Sequence, residues 1–259
     1  MTIDLHNHTV RCHHAEGTIN QYIEKAIEEG IDIFGFADHA PMNFDEKYRM
    51  GFDEMAGYEA EIREAARQYE DRILIRLGYE VDWLPGHMDE RVLNAEVDFL
   101  IGSVHFLSGW GFDNPEFIGH WKEQNVDEIW ERYFAEIAAM AASRHFDIVG
   151  HLDLIKVFGH RPDRDIRQLA EGALDAVAAA EMTLELNAAG WRKPVGEAYP
   201  SLDLLRMARD RRITITFASD AHQPEQVGWK MHELKLLARE AGYTQVASFR
   251  NRERQMHKF

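Results

Sequence analysis

Four histidines, one aspartate and the only cysteine of the chain crowd between Asp4 and His14, in the stretch DLHNHTVRCHH. The spacing of His6 and His8 has a chemical consequence. In an extended segment side chains alternate between faces, so H-x-H turns both imidazoles to the same side, where they can clamp one cation. Asp220-Ala221-His222 repeats that geometry with a hard carboxylate beside an imidazole. Between these two motifs come Asp38-His39, Glu80, His105 and His151. Mixed imidazole and carboxylate ligation suits Zn²⁺, Mn²⁺ or iron better than Ca²⁺ or Mg²⁺, which prefer oxygen shells.

Scattered ligands make a site only if the fold gathers them. Seven short β-branched or aromatic runs read as strands: residues 3–6, 31–37, 72–80, 97–105, 146–151, 182–187 and 213–220. Helical periodicity fills the intervals. Thr18 caps a helix that stops at Gly30, an apolar stripe runs from Val126 to Ser143, and similar patterns cover 54–68, 166–180, 201–210 and 231–241. Strands alternating with helices predict parallel strands joined by right-handed crossovers. The scale fits a TIM-like (β/α) barrel, complete or one unit short, in which all strand C-termini open on one face. An open doubly wound sheet fits less well, because no G-x-G-x-x-G or Walker pattern is present.

Six of the seven predicted strands run into a histidine, aspartate or glutamate. A lone histidine is ordinarily a hydrogen-bonded surface or core residue. That reading suffices for His87, His120, His145, His160, His232 and His257, which fall in helices or loops, and Cys12 reads as a small apolar residue. It does not suffice for the strand-end set, and a metal site is expected there.

Bulk properties narrow the alternatives. At 259 residues and 45% hydrophobic content, with no low-complexity or Pro-rich linker, one domain over 1–259 is expected. No apolar run is long enough to span a membrane, and the first thirty positions carry no secretion-signal core. A single cysteine points to a reducing, cytoplasmic setting. A formal charge of −16 argues against an extended nucleic-acid interface. It leaves room for a small phosphorylated substrate, since bound cations invert the local field.

Taken in order, H-x-H, a downstream His-Ala, FADHAP, a strand-end YE, GSVHF, GHLDL and SDAH resemble the PHP superfamily (polymerase and histidinol phosphatase). GFADHAPM (35–42), GSVHFLSGWGFD (102–113), GHLDLIKVFG (150–159), LNAAGWRKPVGEAYPS (186–201) and SDAHQPEQVG (219–228) resemble its histidinol-phosphatase branch. The resemblance spans almost the whole chain. It implies a distorted (β/α)7 barrel with three divalent metal ions at the C-terminal face. His6, His8, Glu80 and Asp220 would hold the first ion. Glu80 would bridge to a second, held also by His105 and His151. His14, rather than its neighbour His13, would join His39 and His222 around the third.

Two ions sharing a carboxylate can hold a bridging hydroxide, because metal binding lowers the pKa of water to about 7. Such a hydroxide needs no protein nucleophile to attack phosphorus in line. Charge on the phosphoryl oxygens then calls for fixed cations. Arg192, after the one strand without a ligand, is the first choice, and Lys156 the second. Lys193 and Arg161 rank below them. The leaving alkoxide would take its proton from a metal-bound water, Asp220 or His222. Asp153 and Asp38 are expected to orient ligand imidazoles. Trp110, Phe112 or Trp191 would face an imidazole ring, and Asp113, Glu116 or Glu123 an ammonium. The leading expectation is therefore hydrolysis of L-histidinol phosphate. Its rivals are a PHP phosphoesterase for another small ester such as a nucleotide, and a non-catalytic metal-binding module.

Overall fold

Each amphipathic segment predicted from periodicity forms a helix, and each short apolar run predicted as a strand joins one parallel sheet. The computed structural model describes residues 1–259, the side chain of Glu123 excepted. Strand β1 (Ile3–Asp4) leads to α1 (Ile19–Glu28), β2 (Ile33–His39), α2 (Met55–Gln68) and β3 (Leu74–Asp82). A short α3 (Glu90–Leu93) precedes β4 (Phe99–Ser103), and a small hairpin, β5 (Phe106–Leu107) and β6 (Trp110–Gly111), follows it. Then come α4 (Val126–Ser143), β7 (Ile148–Val149), α5 (Ile166–Ala179), β8 (Thr183–Asn187), α6 (Leu202–Asp210), β9 (Thr214–Ala218) and α7 (Met231–Glu240). Strands β10 (Gln245–Arg250) and β11 (Glu253–Lys258) close the chain as an antiparallel hairpin.

Helix boundaries follow local chemistry. Thr18 and Gln21 form a reciprocal capping box that satisfies two free amides at the start of α1. Asn125 accepts from the amides of Asp127 and Glu128 and begins α4. On α4, Ile129, Trp130, Tyr133, Phe134, Ile137 and Met140 are all buried. Each such side chain contributes about 1.5–3 kcal/mol relative to exposure.

The sheet order is β1-β2-β3-β4-β7-β8-β9, with every pairing parallel. It bends into a nearly closed barrel. Leu5 N–H donates to Phe217 O (3.1 Å), Asp220 N–H to His6 O (2.8 Å) and His8 N–H to Ala221 O (2.9 Å), joining the first strand to the last. These closing bonds lie at the C-terminal rim. The distorted (β/α)7 barrel expected from the sequence is the observed architecture. Its packing is tight enough that a Cβ at Gly78 would stand 2.5 Å from the Phe99 ring.

The opposite rim is stitched by a repeated device. Asp32, Asp98 and Asp147 each stand just before a strand, and each accepts from a backbone amide of a neighbouring strand segment. The donors are Thr2 (2.7 Å), Leu77 (3.0 Å) and Leu100 (2.8 Å). The β10–β11 hairpin, absent from the sequence expectation, docks there. Its turn residues Asn251 and Arg252 bond Asp98 through their amides, and the Arg252 side chain pairs with Asp147. Among the described residues, no helix is long and apolar enough to cross a membrane.

Candidate metal centre

The strand-end residues converge at the closed rim. His6, Asn7 and His8 follow β1, and His39 ends β2. Glu80 and Asp82 lie two residues apart at the end of β3 and share a face. His105 follows β4, His151 follows β7, and Asp220 and His222 follow β9. His14 enters from the loop after β1. Glu80 is the hub: its Oε2 lies 3.2 Å from His6 Nε2, 3.7 Å from His8 Nε2 and 3.0 Å from His39 Nδ1. Its Oε1 lies 3.0 Å from His151 Nε2 and 3.6 Å from His105 Nε2, and accepts from Ser103 Oγ at 2.7 Å. One carboxylate thus faces two separate groups of imidazoles. A third group, His14, His39 and His222, stands beside them. His13 points away to Lys47 O, so His14 alone of the doublet joins the cluster.

The outward nitrogens are anchored. His6 Nδ1 bonds Glu185 (2.7 Å), His8 Nδ1 bonds Asp38 (3.3 Å), His105 Nδ1 bonds Asp82 (2.5 Å) and His14 Nδ1 bonds Cys12 O (2.7 Å). A proton at Nδ1 leaves Nε2 as a bare lone pair. These lone pairs then face each other: His6 and His8 at 3.2 Å, His105 and His151 at 3.2 Å, His14 and His222 at 3.1 Å. Two lone pairs at that separation repel unless a proton or a metal ion lies between them. Nitrogens each about 2.1 Å from one ion stand about 3.0–3.4 Å apart at octahedral or tetrahedral angles. The donor set therefore fits divalent transition-metal ions. His151 Nδ1 is buried without a hydrogen-bond partner among the described residues, whereas His39 Nδ1 faces Glu80 Oε2 at 3.0 Å.

Burial opposes charge on all these groups, and their neighbours decide the outcome. Glu80 is pushed up by burial, but His6, His39 and His105 hold it well below the usual carboxylate range. Asp220 behaves likewise through His6 and His8. His14 is lowered to about 4 by burial and by nearby His39 and His8. Burial first, and like charge second, also lower His222. Burial opposes the charge on His105, yet Asp82 and Glu80 raise it to about 10, so an ion held at Nε2 must displace a proton there. Carboxylate-backed imidazoles of this kind are strong ligands.

The cluster floors a cavity of about 700 Å³. Arg192, predicted as a phosphate clamp, lines it. Its Nη2 donates to Ser219 O and Asp220 O (both 2.8 Å), while Nη1 is buried without a partner among the described residues. Asp113 and Glu116 line the same cavity, and so does Lys193. The remaining expectations need correction. Lys156 is fully buried beneath the floor, and its ammonium bonds Asp153 (2.8 Å), Ala198 O (2.8 Å) and Glu197 (3.3 Å). Three donors with three acceptors leave none for phosphate. Asp153 consequently serves Lys156 and the Ser201 amide rather than an imidazole. Trp110 stands outside the cavity, packed on Trp121 and His120, because the β5–β6 turn carries it to the far side. Phe112 is buried against Tyr133, and Trp191 lies beneath Lys230. Phe106, Phe117, Tyr48 and Tyr199 supply the aromatic lining instead. Glu123 lies outside the described side chains. Asp220 and His222 both line the cavity. Asp220 faces His8 and Asn187, whereas His222 uses Nδ1 on Asp220 O and turns Nε2 to His14.

Three buried carboxylate or guanidinium groups escaped the sequence reading: Glu185, Asp82 and Arg49. Glu185 had a readable signal, since a carboxylate inside the apolar run MTLELN demands a partner. Asp82 had one too, sharing a strand face with Glu80.

Parallel strands whose C-terminal ends deliver histidines onto a shared carboxylate describe one class of barrel. The family model of the PHP domain matches residues 4–189, and the chain belongs to the PHP family. A Deinococcus radiodurans protein named "Probable histidinol-phosphatase" is 41% identical over 257 residues, covering 97% of this chain and 98% of that one. The "Histidinol-phosphatase" of Bacillus subtilis is 31% identical, covering 87% and 95%. These likenesses place the chain in the histidinol-phosphatase branch of the family. Its fold matches histidinol phosphate phosphatase from Lactococcus lactis, solved with zinc, L-histidinol and phosphate. The TM-score is 0.81 at 23% identity, with 98% of each chain covered.

Proposed function

We propose that the protein, acting as one domain over residues 1–259, hydrolyses L-histidinol phosphate to L-histidinol and inorganic phosphate. The observation that carries this is the cavity itself. It joins a cluster built for cations to Arg192, a buried guanidinium with one nitrogen unpartnered among the described residues. His6, His8, Glu80 and Asp220 would hold one divalent ion, Glu80, His105 and His151 a second, and His14, His39 and His222 a third; zinc, iron and manganese all suit these ligands. Bound there, the ions supply Lewis acidity toward the phosphoryl oxygens and lower the pKa of water to near neutrality.

The chain's own residues then divide the work. Glu185, Asp38 and Asp82 keep the imidazoles turned inward. Arg192 Nη1 meets charge on the phosphoryl group, and Lys193 stands beside it. Asp45, Asp113 and Glu116 also line the cavity, Asp45 facing Arg49 (3.5 Å) and Glu116 paired with Lys47 (2.9 Å). A cavity lined by Arg192 and also by Asp113 fits a substrate that carries both a phosphate and an ammonium. A nucleoside monophosphate brings no such ammonium, so Asp113 favours the amino-alcohol ester. Asp113 is assigned to the ammonium, and Phe106, Phe117 and Tyr48 to the flat face of the substrate ring. The single cysteine suits a cytoplasmic setting.

Phosphate release from L-histidinol phosphate and from a nucleoside monophosphate panel, with and without chelator, tests the proposal. Expected is chelator-sensitive turnover of L-histidinol phosphate well above every nucleotide. Equal or faster nucleotide turnover would overturn the substrate. No turnover by fully metallated protein would favour a binding module.

A further inference from the structure

Arg49 lies in no strand, helix or recognised motif, yet it is 3% exposed at the wall of the cavity. Its Nη1 donates to Asp82 Oδ2 at 2.6 Å and to Ala40 O at 3.3 Å. Its Nε donates to Asp45 O at 3.0 Å, and Nη2 reaches Asp45 Oδ2 at 3.5 Å. The two oxygens of Asp82 are thereby divided, one to Arg49 and the other to His105 Nδ1. An imidazole is free to turn about its Cβ–Cγ bond, and the bond at Nδ1 sets where Nε2 points. That carboxylate can orient the ring only if something holds the carboxylate. In this protein the holder is a planar guanidinium, which resists rotation better than an ammonium would. Ala40, the second partner, follows His39 directly and donates its own amide to Glu80 O at 2.8 Å. Arg49 therefore grips the ends of β2 and β3 together, and each of those ends carries a residue of the cluster.

We propose that Arg49 is a positioning residue for the His105 side of the metal cluster, acting through Asp82. The inference rests on His105 being a metal ligand, and it adds the group that keeps the ligand aimed. It also explains why an arginine stands buried here beside two carboxylates. A buried ion pair alone is a weak source of stability; a buried pair that ends on a ligand imidazole has a further task.

The test is zinc retention. Wild type, Arg49→Met, Arg49→Lys, Asp82→Asn and the Arg49→Met/Asp82→Asn double variant are loaded with Zn²⁺ and titrated with a chelator. Retained ions are counted per chain, and melting temperature is followed in parallel. Arg49→Met is expected to release one ion at about 10- to 100-fold lower chelator, the usual effect of losing an outer partner, while the other ions stay. Asp82→Asn should match it, and the double variant should be no worse than Asp82→Asn alone. Arg49→Lys, which keeps the charge without the fork, should restore part of the retention. Wild-type retention in Arg49→Met would overturn the proposal, and so would multiplying effects in the double variant. Parallel loss of all ions with a lowered melting temperature would reduce Arg49 to a structural prop. Should Arg49→Met fail to fold, Arg49→Lys decides: early release of one ion supports the proposal, and wild-type retention or loss of all ions refutes it. A wild type that binds no zinc would instead sink the ligand assignment itself.

Discussion

At Arg192 one terminal nitrogen holds the carbonyls of Ser219 and Asp220 while the other is buried with no acceptor among the described residues. An unsatisfied buried donor costs about 1–3 kcal/mol, a penalty that a phosphoryl oxygen bound there would remove. The first nitrogen matters as well, because Asp220 sits in the left-handed region at φ 53° and its turn needs holding. On sequence alone, Arg192→Ala is expected to impair turnover and leave metal content intact. The structure revises that expectation. Arg192→Ala should lower kcat by about 10²–10³ and also release the Asp220-bound ion more readily. Arg192→Lys should recover part of both. Metal-replete Arg192→Ala with wild-type kcat would remove the residue from the phosphate site.

Among the elements, the turn Ala189–Arg192 after β8 does most to present this guanidinium. It passes so close to the 197–199 segment that a Cβ on Gly190 would lie 2.0 Å from Glu197 O. Gly190→Ala must push the turn outward. The expected cost is about 1–3 kcal/mol, the usual range for overpacking, read as a lower urea midpoint, together with lost turnover as Arg192 is displaced. An unchanged midpoint would mean that the turn yields freely and does not fix Arg192. Helices and strands of this barrel were legible because their signals are local: α4 begins and ends at the predicted Val126 and Ser143. The β10–β11 hairpin was not, since its turn at Asn251 and Arg252 lacks the Asn-Gly signature and is held by Asp98 and Asp147 from distant strands.

For the whole molecule, closure of the barrel and assembly of the cluster are one event. The bonds that join first strand to last involve His6, His8 and Asp220, residues of the site itself. Ions that bind only the closed form must therefore stabilise it. An ion present at 100 times its Kd contributes about 2.7 kcal/mol, which in a chain of this size raises the melting temperature by about 5–10 °C. Stripping the metals with a chelator should lower the midpoint by at least that much, and added zinc should restore it. A midpoint indifferent to chelator would show that the fold closes without them.

What the sequence by itself determined was the periodic skeleton and the ligand types at its strand ends. Apolar alternation and capping act over a few residues, and six of seven predicted strands ran into a group able to bind metal. Only the tertiary structure decided the partners. It separated His14 from His13, buried Lys156 against Asp153 and turned Trp110 away from the cavity. It also set Glu185, Asp82 and Arg49 behind the imidazoles. The physical reason is common to all of them. Whether a charged side chain faces substrate, metal or another charge depends on contacts between residues far apart in the chain, and no local pattern records these.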